Sequence, residues 1–252
     1  MIRNESQPGR GGLVVRRSVV AALAAGLSTA AMLGLAPQAS AAAAGASCYG
    51  FPVTIPATES TDDITGTSGR DVINGLGGDD RISGTGGDDI LCGGEGDDDI
   101  AGGSGNDRIA GNSGNDVLRG YVGHDTVEGL EGDDLVEGGD HNDTLFGGDD
   151  HDFGRNMGDD NVVGGPGNDV VHGMAGVDTL LGGVGNDQLF GYAGGDTLID
   201  TVGRDELHAD AGDDILRARD ANVVFRDDEV RGDAGRDRCE TDTGDSSWSC
   251  EL

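Results

Sequence analysis

Aliphatic residues recur along this chain at every ninth position. They are Ile73, Ile82, Leu91, Ile100, Ile109, Leu118, Val127, Val136 and Leu145, then, after a slip of one residue, Val162, Val171, Leu180, Leu189, Leu198, Leu207 and Leu216. Glycine-rich, acidic stretches separate one from the next. A period of nine fits neither the 3.6-residue turn of a helix nor a long alternating strand. It predicts a supersecondary unit repeated end to end. The tripeptide centred on each aliphatic should point outward, inward, outward, as a short strand does. The glycines between should form turns. The fold class read from this pattern is all-β, a solenoid of short strands and tight turns.

The pattern also sets the organisation. It runs through a first block, residues 57–153, and a second, residues 154–217, joined by a flaw. At the joint Gly154 takes an aliphatic position, and His141 and Asp150 stand where a glycine belongs. Residues 218–231 lose the pattern, and a last unit from Gly232 to Glu240 carries Asp237 and Cys239. Residues 42–56 and 218–252 read as caps, because a solenoid must cover its end coils.

Residues 1–41 differ from everything after them. Arg3, Arg10, Arg16 and Arg17 precede an uncharged run from Val19 to Leu35, and Ala39-Ser40-Ala41 closes it. That is the layout of a secretory signal peptide, by either the general or the twin-arginine route. Its removal would leave no membrane span. The expected location is outside the cell.

Composition narrows the partners. The chain of 252 residues has 49 Gly, no Lys, and a formal net charge of −32. Loss of residues 1–41 removes four Arg and Glu5, leaving 12 Arg against 47 acids, a net −35. Such a chain lacks the basic face that nucleic acid requires. It is either a self-repelling disordered chain or one that collects cations. Its four cysteines, Cys48, Cys92, Cys239 and Cys250, all follow the signal. An even number in an exported chain suggests two disulfides. Proximity pairs Cys239 with Cys250 and leaves Cys48 for Cys92, with two other pairings open. No C-x-x-C spacing favours zinc.

The unit itself is specific. Gly93-Gly94-Glu95-Gly96-Asp97-Asp98-Asp99-Ile100-Ala101 is followed by Gly102-Gly103-Ser104-Gly105-Asn106-Asp107-Arg108-Ile109-Ala110. Both read G-G-x-G-x-D-x-U-x, with U aliphatic. The sixth position holds Asp71, Asp80, Asp89, Asp98, Asp107, Asp116, Asp125, Asp134, Asp143 and Asp152, then Asp160, Asp169, Asp178, Asp187, Asp196, Asp205 and Asp214. Asp62 fits weakly. This resembles the RTX, or haemolysin-type, calcium-binding family. The resemblance implies a right-handed parallel β-roll, two units per coil, with multiple Ca2+ ions held in the glycine turns by these aspartates. The chemistry agrees. Calcium takes six to eight oxygens in forgiving geometry, whereas a transition metal would want His or Cys at such positions. One aliphatic per nine residues is also a thin core to set against the entropy of ordering the chain. About 12–15 ions would neutralise most of the charge.

No catalytic role is expected. H-E-x-x-H and G-x-S-x-G are absent, and His124, His141, His151, His172 and His208 are scattered through the register. The expected function is a secreted calcium-binding protein that folds on its ions. The alternative is an extracellular structural or adhesive protein, in which calcium only stiffens a surface for a partner or another copy. Ninth-position Phe146, Val163, Leu181 and Ile199 are expected to form one apolar stripe on such a surface.

Overall fold

The computed structural model describes residues 18–20, 47–148, 158–200, 202–218, 228–241 and 245–250. Among them the chain winds as a parallel β-solenoid. Successive units alternate between two sheets. Arg81–Gly86, Asp99–Ser104 and Val117–Val122 lie side by side in an eleven-stranded sheet. Val72–Gly77, Ile90–Glu95 and Arg108–Ser113 do so in a ten-stranded sheet. Neighbours in each sheet are parallel and 18 residues apart, as in Ile82↔Ile100 and Ile73↔Leu91. Two nonapeptides therefore make one coil.

Between the sheets lies a single column of aliphatics. Ile64, Ile73, Ile82, Leu91 and Ile100 begin it, Leu198, Leu207, Leu216 and Val230 end it, and each is at most 1% exposed. The flanking residues are mostly half-buried, as the outward–inward–outward expectation requires.

The strands are longer than the expected tripeptide. Each regular strand has six residues, running from the seventh position of one unit through the third of the next. The extension is possible because the backbone bends at the second position, where Leu76, Thr85, Asn112, Tyr121 and Leu130 have φ between 78° and 82°. Side chains are tolerated there at a modest conformational cost.

Two coils are oversized. At the joint between the blocks, Val136 pairs with Val162 and Leu145 with Val171, a step of 26 residues. Near the end, Leu207 pairs with Val230 and Leu216 with Cys239, a step of 23. Both sheets run on across each irregularity. The aliphatic column selects the rungs, and the chain between them takes up the surplus length.

The joint corrects one expectation. A step of 26 puts Phe146 opposite His172, in the ten-stranded sheet. Val163, Leu181 and Ile199 lie in the eleven-stranded sheet. They share no stripe with Phe146, because a whole short unit is bypassed where a one-residue slip had been assumed. Instead Phe146, His172, Phe190 and His208 stack with ring centroids 4.7, 5.0 and 5.2 Å apart.

Both disulfides join the expected partners, Cys48 to Cys92 and Cys239 to Cys250. The first staples the short Ser47–Cys48 and Phe51–Pro52 hairpin onto the ten-stranded sheet, where the guanidinium of Arg108 sits 3.7 Å from the centre of the Tyr49 ring. Ser18–Val20 forms an edge strand beside Asp63–Thr65. The rest of the expected signal segment lies outside the described residues. No helix among the described residues is long and apolar enough to cross a membrane.

Candidate metal-binding turns

The sixth-position aspartates are buried in rows along the turns, each at most 5% exposed from Asp71 through Asp143 and from Asp160 through Asp214. One carboxylate oxygen of each has a fixed task. The backbone N–H of Asp80 donates to Asp98 Oδ1 at 2.7 Å, that of Asp98 to Asp116 Oδ1 at 2.8 Å, and that of Asp116 to Asp134 Oδ1 at 2.8 Å. The row crosses the oversized coils, from Asp134 to Asp160 Oδ1 at 2.7 Å and from Asp205 to Asp228 Oδ1 at 2.9 Å.

The other oxygen has no such task. In Asp80 through Asp143, in steps of nine, Oδ2 is buried without a hydrogen-bond partner, and the same holds in Asp160 through Asp196 and in Asp214 and Asp237. A buried anionic oxygen without a donor is costly. Desolvation accordingly raises these carboxyls, partly countered by the amide that donates to each. Asp80, Asp107, Asp116, Asp143, Asp196 and Asp214 are pushed up to about 7. Asp89, Asp98, Asp134, Asp169 and Asp178 are pushed up to about 6, and Asp160 to about 8. Asp125 and Asp187 are raised for the same reason.

The first-position glycines explain what those oxygens face. A β-carbon on Gly93 would overlap Asp98 Oδ2 and stand 2.7 Å from the carbonyl oxygen of Gly111. One on Gly111 would overlap Asp116 Oδ2 and stand 2.7 Å from the carbonyl of Gly129. Gly93 and Gly111 do not have the positive φ that would itself demand glycine. They keep open a cradle walled by a carboxylate oxygen and the carbonyl of the next coil. Fourth-position glycines serve a different need. Gly105 has φ +125° and Gly114 +133°, and a β-carbon on either would run into the carbonyl of the glycine one coil earlier.

An all-oxygen cradle, an anionic oxygen with no donor and a turn that packs on its neighbour make a donor set for a hard cation. Comparison with known families agrees. The model of the RTX calcium-binding nonapeptide repeat matches residues 57–91, 93–127, 119–153, 156–189 and 190–222. The chain belongs to the RTX calcium-binding repeat family. No curated protein matches the chain as a whole.

The RTX turns are not all alike. Asp62 Oδ2 accepts from the amide and hydroxyl of Thr58, both at 2.7 Å. Asp71 Oδ2 accepts from the amide and hydroxyl of Thr67, at 2.6 and 2.9 Å. These two carboxylates are satisfied by protein. Asp152 lies outside the described residues. Ala209 takes the first position in the unit of Asp214, and it is completely buried. Its methyl group stands where other units keep a hydrogen.

Three buried acids were not singled out as ligands in the sequence. Asp228 and Asp237 continue the row, their Oδ1 atoms accepting from the amides of Asp205 and Asp214. Asp237 had been seen as a sixth-position residue. Asp228 had not, because its unit carries Arg226 where the fourth-position glycine belongs. The third is Asp200, which holds a first position.

Proposed function

We propose that this is an exported RTX protein whose roll is completed by calcium, with no catalytic activity of its own. The observation that carries the reading is the file of buried aspartate Oδ2 atoms with no hydrogen-bond partner, each against a glycine cradle. Calcium would be held by Asp80 through Asp143, in steps of nine, and by Asp160 through Asp205, together with first-position carbonyls. It supplies the positive charge that these oxygens lack. Asp62 and Asp71, closed by Thr58 and Thr67, would form an ion-independent first coil. The methyl of Ala209 would end the regular series. Export follows the basic, apolar and A-x-A segments of residues 1–41, and the two disulfides suit an oxidising compartment. Cleavage after Ala41 would remove the edge strand Ser18–Val20 and make Asp63–Thr65 the first rung of its sheet.

Circular dichroism during a calcium titration, after full chelation, tests the folding role. The mature chain should change from a spectrum poor in β-structure to a β-rich one. A β-rich spectrum unchanged by chelation would refute calcium-dependent folding while leaving calcium binding itself open to calorimetry.

A further inference from the structure

Asp200 breaks the repeat at the place where the repeat is least tolerant. The first position is glycine in Gly93, Gly102, Gly111, Gly120, Gly182 and Gly191, because a side chain there enters the cation cradle. Asp200 puts a carboxylate into that space. It is 2% exposed, and its Oδ2 occupies the region where a β-carbon on Gly182, one coil earlier, would lie. Gly182 opens the unit of Asp187, and Asp200 opens the unit of Asp205. The extra carboxylate therefore stands between two consecutive cradles on one side of the roll.

The result is a cluster found at no other place among the described residues. Ligand oxygens of Asp187, Asp200 and Asp205 all lie within 4.8 Å of one another, and all three residues are buried. Elsewhere in the rows, carboxylates one coil apart form no such triad. A second observation points to a ligand. Asp187 is 1% exposed, and its Oδ2, directed at the space beside Gly182, has no hydrogen-bond partner. Three mutually repelling acids are expensive to bury without positive charge. No Arg forms an ion pair with any of them among the described residues.

We propose that Asp187, Asp200 and Asp205 form a special calcium site, the tightest in the roll, in which a side chain replaces part of the backbone cradle. The proposal rests on the calcium reading of the ordinary turns and adds to it. Ligand charge is one of the variables that set calcium affinity, and a third carboxylate raises it. The expected gain is at least about tenfold over the ordinary turns. Such a site would fill first and fix the register of the second block while the other turns were still empty.

The test is calorimetric titration of the chelated full-length mature chain with calcium chloride, for the wild type, Asp200→Gly and Asp200→Asn. Asp200→Gly restores the residue that the regular units carry, so it should fold with calcium. Asp200→Asn keeps the shape and removes the charge. The wild type should show a small class of sites at least tenfold tighter than the rest. Both variants should lose that class and keep the others. A wild type with one uniform class, or a tight class retained in either folded variant, would overturn the special site while leaving the calcium reading intact. A wild type that takes up no calcium would overturn both.

Discussion

A glycine in this chain can be required for either of two reasons, and they predict different consequences of substitution. Gly114 is needed for its φ of +133° and for its approach to the carbonyl of Gly96. Gly114→Ala should destabilise the calcium-loaded roll by at least about 2 kcal/mol, read from urea unfolding. First-position glycines are needed for space, so the reverse change should add function. Ala209→Gly opens the cradle facing Asp214 and should raise the calcium stoichiometry by one in calorimetry. At this scale the sequence is very readable. The ninefold aliphatics all fall in the core, and the aspartate rows follow their register. What could not be read is the second shell of each carboxylate. That Thr67 satisfies Asp71, while Asp80 is left without a donor, depends on the fold of the turn. Asp200 was visible as a departure from the motif, but its significance required knowing that first positions face a cavity.

At the scale of strands and turns, the repeat made the parallel pairing legible and hid its extent. The aliphatic tripeptide predicts three residues per strand. The bend at Leu76 and its equivalents, which adds three more, leaves no signature, because the second position accepts Gly, Leu, Thr, Asn or Tyr. The joint was legible as a flaw but not as a bypass, and that is why Phe146 changes sheets. The rows of carboxylates make an element-scale prediction about pH. Ordinary aspartates in the unfolded chain ionise near pH 4, whereas the ion-free roll holds many of them at about 6 or 7. Their raised values mean that the roll binds more protons than the unfolded chain between those limits. Ion-free stability should therefore fall as pH rises from about 4 to about 7, and stay low above. In chelator, β-structure should be greater at pH 4.5 than at pH 7.5 by circular dichroism. Calcium should reverse the preference, since it competes with those protons. No pH dependence of the ion-free chain would contradict the burial described for the rows.

For the whole molecule, the covalent links sit where the ion rows give least support. Cys48–Cys92 closes 44 residues and ties the entry hairpin to the coils of the first block. Cys239–Cys250 closes 11 and holds the last rungs. Loop-closure entropy assigns about 4 kcal/mol to the longer link and about 3 kcal/mol to the shorter. Reduction should therefore raise the calcium concentration at the midpoint of folding, measured by circular dichroism with and without a phosphine reductant. An unchanged midpoint would mean that the ends fold independently of the ion-binding coils.

The row of amide-to-carboxylate hydrogen bonds also has a polarity. The amide of each aspartate donates to the carboxylate of the coil that follows it, through Asp205 to Asp228 and on to Asp245 at 3.3 Å. A partly built roll thus always exposes amides that await an acceptor at its C-terminal end. The acceptor arrives only with the next stretch of chain. Assembly of this molecule is consequently vectorial: a polypeptide that emerges N-terminus first into a calcium-rich space presents each new coil to a finished template, in the order in which the template can use it.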